Sequence, residues 1–187
     1  MGRHSSSTSN NPLRVVCLAG PSDSGKTTLV EKLVPRLTEH YRVATVKSIH
    51  HDVEIDTPGA DTHRHRTAGA ETVVGITPEL TFDISTRGKQ KPPELPRGTD
   101  GGLVDSDPDD RELQALESTL ARLSRRGYDI VVVEGFTDAP LPTILVGDRE
   151  PDTVAGEIVG RGDDELEELV ETIQTLEEIA FETRPDA

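Results

Sequence analysis

The sequence predicts an α/β fold in which a mostly parallel central sheet lies between helices in three layers. Three observations carry this. Short, continuous, β-branched apolar runs recur, LRVVCLA at 13–19, YDIVVVEG at 128–135 and PTILVGD at 142–148, and such runs suit strands buried on both faces. Between and after them lie stretches with apolar residues at helical spacing, the alternation expected of βαβ units. A glycine-rich turn, GPSDSGKTT, joins the first run directly to a helical pattern.

Residues 1–12 (MGRHSSSTSNNP) are polar and Ser/Asn-rich and read as a disordered tail ahead of a single domain, 13–187. After the first strand, Leu29, Val30, Leu33 and Leu37 mark one face of a helix, which Pro35 is expected to kink or shorten. RVATVK (42–47) is the second strand, and ADTHRHRTAG (60–69) suits a short helix stopped by Gly69. ETVVGIT (71–77) and LTFDIST (80–86) read as two strands joined by a tight Pro78-Glu79 turn. Residues 88–110, rich in Pro, Gly and Asp, read as a flexible surface insertion. Leu113, Leu116, Leu120 and Leu123 line an amphipathic helix that stops at Arg125-Arg126-Gly127. VAGEIV (154–159) is one more short strand. A closing acidic helix carries Leu166, Leu169, Val170, Ile173, Leu176 and Ala180 along one face.

Composition excludes several classes. Aromatics are 3% of the chain and tryptophan is absent, so the core must come mainly from Val, Leu, Ile and Ala. The net charge of −15 argues against nucleic-acid or anionic-membrane partners, which favour basic faces. No apolar run approaches the roughly 20 residues of a membrane span. The one cysteine, Cys17, forms no internal disulfide, which fits a reducing cytoplasm.

Gly20-Pro21-Ser22-Asp23-Ser24-Gly25-Lys26-Thr27 fits G-x-x-x-x-G-K-[ST], after a strand and before a helix as the motif requires. Together with a P-loop, the alternating elements specify a P-loop NTPase fold. Backbone N–H groups of Gly20, Ser22, Asp23, Ser24, Gly25 and Thr28 are candidate phosphate donors at the positive end of the helix. Lys26 offers its cation to the β- and γ-phosphates and the Thr27 hydroxyl is a Mg²⁺ ligand. Asp23 is unhelpful electrostatically so near phosphates, and its side chain is expected to point to solvent. Glu134, closing the run Ile130-Val131-Val132-Val133, takes a Walker-B-like place and holds Mg²⁺ directly or through water. Asp129, at the other end of that strand, should lie away from the phosphates. No N-K-x-D motif marks a guanine reader, and Asp148 is a candidate by position alone.

KSIHHDVEIDTPGADTHRHR (47–66) holds four of the six histidines. One reading is a transition-metal site built on His50, His51, His63 and His65, although no cysteine is near. A second is a solvated polar loop. A third is a switch-like loop at the phosphate edge, in which Asp52 and Asp56 approach Mg²⁺ or its water shell and Lys47, His50 and His51 contact a second anionic ligand. In that reading the chemistry rests on Lys26, Glu134 and Asp52, with Thr27, Glu134 and Asp52 around the metal.

The segments GPSDSGKTTLVEKLVP, VKSIHHDVEIDTPGADTHRHRTAGAE and YDIVVVEGF resemble, in this order, the molybdopterin-guanine dinucleotide biosynthesis protein B (MobB) family. The middle one is the specific part, because H-H-D-x-x-x-D-x-P-G-x-D followed by R-x-A-G-A is not a general P-loop feature. The resemblance implies a GTP- and Mg²⁺-binding protein, often a homodimer. It would assist the molybdopterin guanylyltransferase that joins GMP to molybdopterin, with molybdopterin as second ligand and weak intrinsic GTP hydrolysis. It adds Asp61 and Arg64 to the candidate ligand-binding residues. The chain departs from the family at Ser48, where histidine is usual, and at Thr57, Ala60 and Thr137, where lysine is favoured. Lys47, Arg64 and Arg66 are the cations left to compensate, and 88–110 lies outside the resemblance. Two other functions stay open at this point: a P-loop small-molecule kinase with Arg64 and Arg66 as lid arginines, and a metal-delivery GTPase using His50, His51 and His63.

Overall fold

The computed structural model describes residues 11–93, 99–100 and 110–183. The apolar runs become strands β1 (Arg14–Ala19), β2 (Val43–Lys47), β6 (Ile130–Glu134), β7 (Thr143–Leu145) and β8 (Ile158–Arg161). They form one five-stranded sheet in the order β2-β6-β1-β7-β8, with every pairing parallel. Alternation along β1 divides the core in two. Val15 and Cys17 pack with Leu113, Leu116 and Leu120 of α3 (Arg111–Arg125) on one side of the sheet. Val16 and Leu18 pack with Leu29 and Leu33 of α1 (Lys26–Leu37) and with Leu169 and Ile173 of α4 (Leu166–Thr175). Helix, sheet and helix make the three layers. Cys17 is a core residue whose burial pushes its thiol up to about 12.

The short helix α2 is Asp61–Thr67, and β3 (Thr72–Ile76) and β4 (Thr81–Ser85) form a separate antiparallel hairpin. Gly75 is paired with Phe82, and a Cβ at Gly75 would meet the ring at 2.2 Å, so the aromatic lies over the glycine. The hairpin is tied to α3 through Asp83, which accepts from Arg126 (2.7 Å) and Arg122 (3.3 Å). The Arg126 hydrogen bond holds the Asp83 carboxyl below the usual carboxylate range, against the opposing effect of burial. Two-residue strands β5 (Thr99–Asp100) and β9 (Glu182–Thr183) pair antiparallel.

Two sequence expectations are corrected. The strand expected from Val154 begins at Ile158: Ala155 N–H donates to the Thr137 carbonyl (2.9 Å), and Gly156 runs so close to Leu141 that a Cβ would meet its carbonyl oxygen at 1.7 Å. That segment crosses the loop before β7 instead of extending β8. The last helix stops at Thr175, not at Ala180, because Leu176 turns to extended backbone (ψ 148) and Ile179 bridges Leu13. The following Phe181 enters the α3-side core instead. Pro35 sits in the last turn of α1, which ends two residues later. Of the expected tail and insertion, residues 1–10, 94–98 and 101–109 lie outside the described residues. Asn11 is already fastened, donating to the Tyr128 carbonyl (2.9 Å) and Asp129 (2.8 Å). Among the described residues, no helix is long and apolar enough to cross a membrane.

Candidate functional site

The C-terminal ends of β1, β6 and β2 converge on one edge of the sheet, where ligands of open α/β folds bind. There the P-loop turns away from β1. A Cβ on Gly20 would lie 2.2 Å from the Val146 carbonyl oxygen, so this position has no room for a side chain. Gly25 caps α1 with φ 94, in the left-handed region. Asp23 also adopts that region (φ 60), which aspartate tolerates better than most residues, and it is exposed. Its presence in a phosphate loop has a conformational reason.

Lys26 Nζ donates to the carbonyls of Gly20 (2.8 Å) and Pro21 (2.5 Å), lying over the loop it serves. Thr27 Oγ1 is 3.2 Å from Glu134 Oε2. Hydroxyl and carboxylate are hard oxygen donors that converge from two elements, which fits Mg²⁺ shared with phosphate oxygens. Lys47 Nζ donates to Glu134 Oε1 at 2.9 Å. The register explains this pair, since Lys47 and Glu134 stand directly opposite on β2 and β6. Sequence reasoning had assigned Lys47 to a second ligand and missed the pairing, for which only equal distance from two strand ends was a signal.

A cleft of about 780 Å³ opens over these groups and extends past Glu134 to Ser48, His50, His51, Glu112 and Phe136. It therefore unites the P-loop, Lys47, Glu134 and the tandem histidines, which are both exposed. Ser48 is 8% exposed and wedged in place. Its N–H donates to the Glu134 carbonyl (2.8 Å) and its Oγ to Glu112 Oε1 (2.8 Å). Lys89, from the segment read as a flexible insertion, donates to both Ser48 Oγ (2.6 Å) and Glu112 Oε1 (2.8 Å) and lies 5.5 Å from the Phe136 ring centroid. Burial works against the charged form of Glu112, but hydrogen bonds from Lys89 and Ser48, with the charges of Lys89 and His50, outweigh it and hold the carboxyl below its ordinary range. A cation thus stands beside position 48 although its own residue is serine. No local pattern could have announced it.

The other candidates lie elsewhere. Asp52 is exposed and does not line the cleft. Asp56 accepts from Thr62 Oγ1 (3.0 Å), knitting the loop to α2, while Asp61 pairs with Arg64 at 3.5 Å on an exposed face of that helix. Arg66 is bound to Glu54 (2.5 and 2.7 Å), and its hydrogen bond is the main reason the Glu54 carboxyl is depressed. Among the described residues no group of three or more His, Cys, Asp or Glu side chains is placed to hold a metal ion. Arg149, which the sequence reading overlooked, lines both the main cleft and a second one of about 530 Å³ between the ends of β7 and β8.

The family model for molybdopterin guanine dinucleotide synthesis protein B (MobB) matches residues 15–101. The chain is 34% identical over 142 residues to the molybdopterin-guanine dinucleotide biosynthesis adapter protein of Haemophilus influenzae, a match covering 75% of this chain and 67% of that one. It is 30% identical over 134 residues to the Escherichia coli protein of the same name, covering 71% and 64%. The chain thus spans about two thirds of the length of these relatives. In fold it is similar to a crystal structure of molybdopterin-guanine biosynthesis protein B (TM-score 0.54, 24% identity, 86% of this chain and 98% of that one). It is also similar to Bacillus subtilis MobB (TM-score 0.52, 22% identity, 80% and 77%). With a P-loop, an acid-tipped neighbouring strand and a His-His-Asp loop on one sheet edge, and with these relatives, the chain belongs to the MobB family.

Proposed function

We propose that this protein is a GTP-binding adapter of molybdenum cofactor biosynthesis. It assists a molybdopterin guanylyltransferase in attaching GMP to molybdopterin to form the guanine dinucleotide cofactor. The observation that carries this reading is the single cleft that runs from Lys26, Thr27 and Glu134 to His50 and His51. A nucleoside triphosphate fits the P-loop end, and a second phosphate-bearing ligand, molybdopterin, fits beside the histidines. The adapter names of the two relatives support the same role.

With a nucleotide bound, Lys26 would exchange the Gly20 and Pro21 carbonyls for the β- and γ-phosphates, and Thr27 and Glu134 would hold Mg²⁺, which would supply charge neutralisation there. Lys47 tempers the Glu134 carboxylate. His50 and His51, exposed at the rim, face the second ligand or the partner enzyme. In this reading GTP hydrolysis is slow, as the family resemblance implies, and the chain's work is presentation rather than turnover. The kinase reading loses its lid, because Arg64 and Arg66 are engaged with Asp61 and Glu54 away from the cleft. The protein is a reducing-compartment, cytoplasmic one in this reading, with Cys17 inert in the core.

His50→Ala is expected to bind GTP·Mg²⁺ like wild type but to lower guanine dinucleotide formation about tenfold, the loss of about one charge-assisted hydrogen bond. A coupled assay with guanylyltransferase and molybdopterin reads this. An unchanged rate removes His50 from second-ligand binding.

The adapter works as a homodimer in this reading. Val74 (56% exposed), Ile76 (80%) and Leu80 (57%) put an apolar strip on the hairpin, whose β3 and β4, among the described residues, pair only with each other. Ile76→Glu is expected to convert a dimer into a monomer in light scattering; the same mass for both proteins would remove the hairpin from the interface.

A further inference from the structure

The main cleft carries, away from the P-loop, a pair of charges for which a triphosphate has no use. Ser48, Glu112, Leu113 and Phe136 line this part of it. Phe136 and Leu113, both largely buried, offer apolar surface, and the polar groups gather in one cluster. Lys89 joins that cluster through three partners: Ser48 Oγ at 2.6 Å, Glu112 Oε1 at 2.8 Å and the Phe136 ring centroid at 5.5 Å. All three partners line the cleft, so the ammonium stands at its wall.

Backbone contacts fix the members of this cluster. Asp110 caps α3 and accepts from the N–H groups of Glu112 (2.9 Å) and Leu113 (3.0 Å), which sets where the helix begins beside the cleft. Residues 88–91 close a turn in which Lys91 N–H donates to the Gly88 carbonyl at 3.1 Å. Arg111 fastens that turn to α3 through the Gln90 carbonyl, also at 3.1 Å. Ser48 is packed on Gly135, where a Cβ would meet Ser48 Cβ at 2.7 Å. Lys89, Glu112 and Ser48 thus come from three braced segments.

Their hydrogen-bonding capacity is only partly used. An ammonium has three N–H donors, and Lys89 gives one to Ser48 and one to Glu112, which leaves a third. Glu112 Oε1 accepts from both Ser48 and Lys89, whereas Oε2 accepts from no group among the described residues. Burial opposes the charge on Glu112, but the bonds from Lys89 and Ser48 hold it ionised, so Oε2 stays an acceptor at neutral pH. A spare donor and a spare acceptor therefore stand side by side. The pair cancels its own charge and so suits a neutral partner better than a phosphate. Its complement is an N–H next to a carbonyl, the lactam edge of a fused pyrimidine ring. A pterin presents that edge as N3–H and the C4 carbonyl, and its flat ring suits the apolar surface of Phe136 and Leu113.

We infer that Glu112 and Lys89 form the subsite for the ring of the second ligand, Glu112 Oε2 accepting from N3–H and Lys89 Nζ donating to the C4 carbonyl of a pterin. This assignment rests on the second-ligand reading above and gives that ligand an orientation, its ring at the Glu112–Lys89 pair and its phosphate at the exposed His50 and His51. Ser48 is a positioning residue, bonded to both members of the pair.

The test saturates the full chain with GTP·Mg²⁺, which fills the P-loop end, and titrates 6-hydroxymethylpterin and its 3-methyl derivative by pterin fluorescence near neutral pH. Wild type is expected to bind the pterin roughly 10- to 100-fold more tightly than the derivative, in which a methyl group replaces the N3–H donor. Glu112→Gln keeps its carbonyl toward Lys89 and Ser48 and turns an amide N–H to the ring, so it should lose that preference. Lys89→Met should weaken pterin binding about tenfold. A thermal melt of each variant checks that it is folded. A folded Glu112→Gln that keeps the preference overturns this assignment. Equal binding of the two pterins by wild type also overturns it and leaves the second-ligand reading standing, whereas no pterin binding at all overturns both. Guanosine has the same lactam edge on a smaller ring; if it binds as tightly as the pterin, the pair still reads that edge but a pterin is not its ligand.

Discussion

Lys26→Ala is expected to weaken GTP·Mg²⁺ binding at least roughly 100-fold while leaving the fold intact. In the proposed complex the lysine ammonium would meet two phosphates through charge-assisted hydrogen bonds, each worth about 1.5–3 kcal/mol, and tenfold in affinity is about 1.4 kcal/mol. Two such bonds therefore exceed two decades. In the protein itself Lys26 contacts only the carbonyls of Gly20 and Pro21, at a part-exposed position, and contributes little to the packed layers. Stability should change by no more than about 0.5 kcal/mol. Titration with a fluorescent GTP analogue, beside a thermal melt, reads both quantities. Affinity within threefold of wild type would mean that the loop does not hold the triphosphate.

Gly20→Ala should damage both the fold and the site. The added Cβ would stand 2.2 Å from the Val146 carbonyl oxygen and 2.7 Å from Ser24 Oγ. The serine side chain can rotate, but the carbonyl cannot withdraw. Val146 donates to the Ala19 carbonyl at 2.8 Å, and β1 and β7 are paired immediately before this point. Overpacking of this kind costs about 1–3 kcal/mol, or very roughly 2–12 °C in Tm for a chain of this size. Moving β1 and β7 apart also shifts the P-loop against both clefts, so nucleotide affinity should fall with stability. Gly88→Ala, where nothing lies within 4 Å of the added carbon, is the control and should melt like wild type. An unaltered melt for Gly20→Ala would show that the two strand ends can separate freely, contrary to the close approach described above.

Much of the fold was legible because its signals are local. The run from Leu13 to Ala19 had to be buried on both faces, and the leucines of α3 declared one face at a period of 3.6. The P-loop carries its own context of strand, glycine turn and helix. Errors fell where local pattern and tertiary demand disagree. Leu176 and Ala180 continue a helical spacing, yet the chain leaves the helix after Thr175 so that Ile179 can bridge Leu13 and Phe181 can fill the core. Val154 opens a β-like string, but the approach of Gly156 to Leu141 delays the strand to Ile158.

The site divides in the same way. As candidates, the residues of one loop, Gly20 to Thr28, and the acid at the tip of an apolar strand were legible from type and spacing, and most of them line one cleft. The partners that set their charge were not. Lys47 and Glu134 are 87 residues apart, and Lys89 is 41 from Ser48 and 23 from Glu112. Within 47–66 the histidines drew attention as a set, but the fold sends His50 and His51 to the cleft, ties Arg66 to Glu54 and turns His63 Nδ1 to the Gly59 N–H.

By itself, then, the sequence determined what backbone preference and apolar periodicity can specify: a parallel α/β core, a phosphate loop, and the order of segments that places the chain in its family. The tertiary structure alone decided which side chains meet. It set Lys47 against Glu134, brought Lys89 to Ser48 and Glu112, and left the loops after β7 and β8 beside the P-loop. The physical reason is that such meetings follow from strand order and register, which are properties of the whole sheet and are not encoded in any single stretch of the chain.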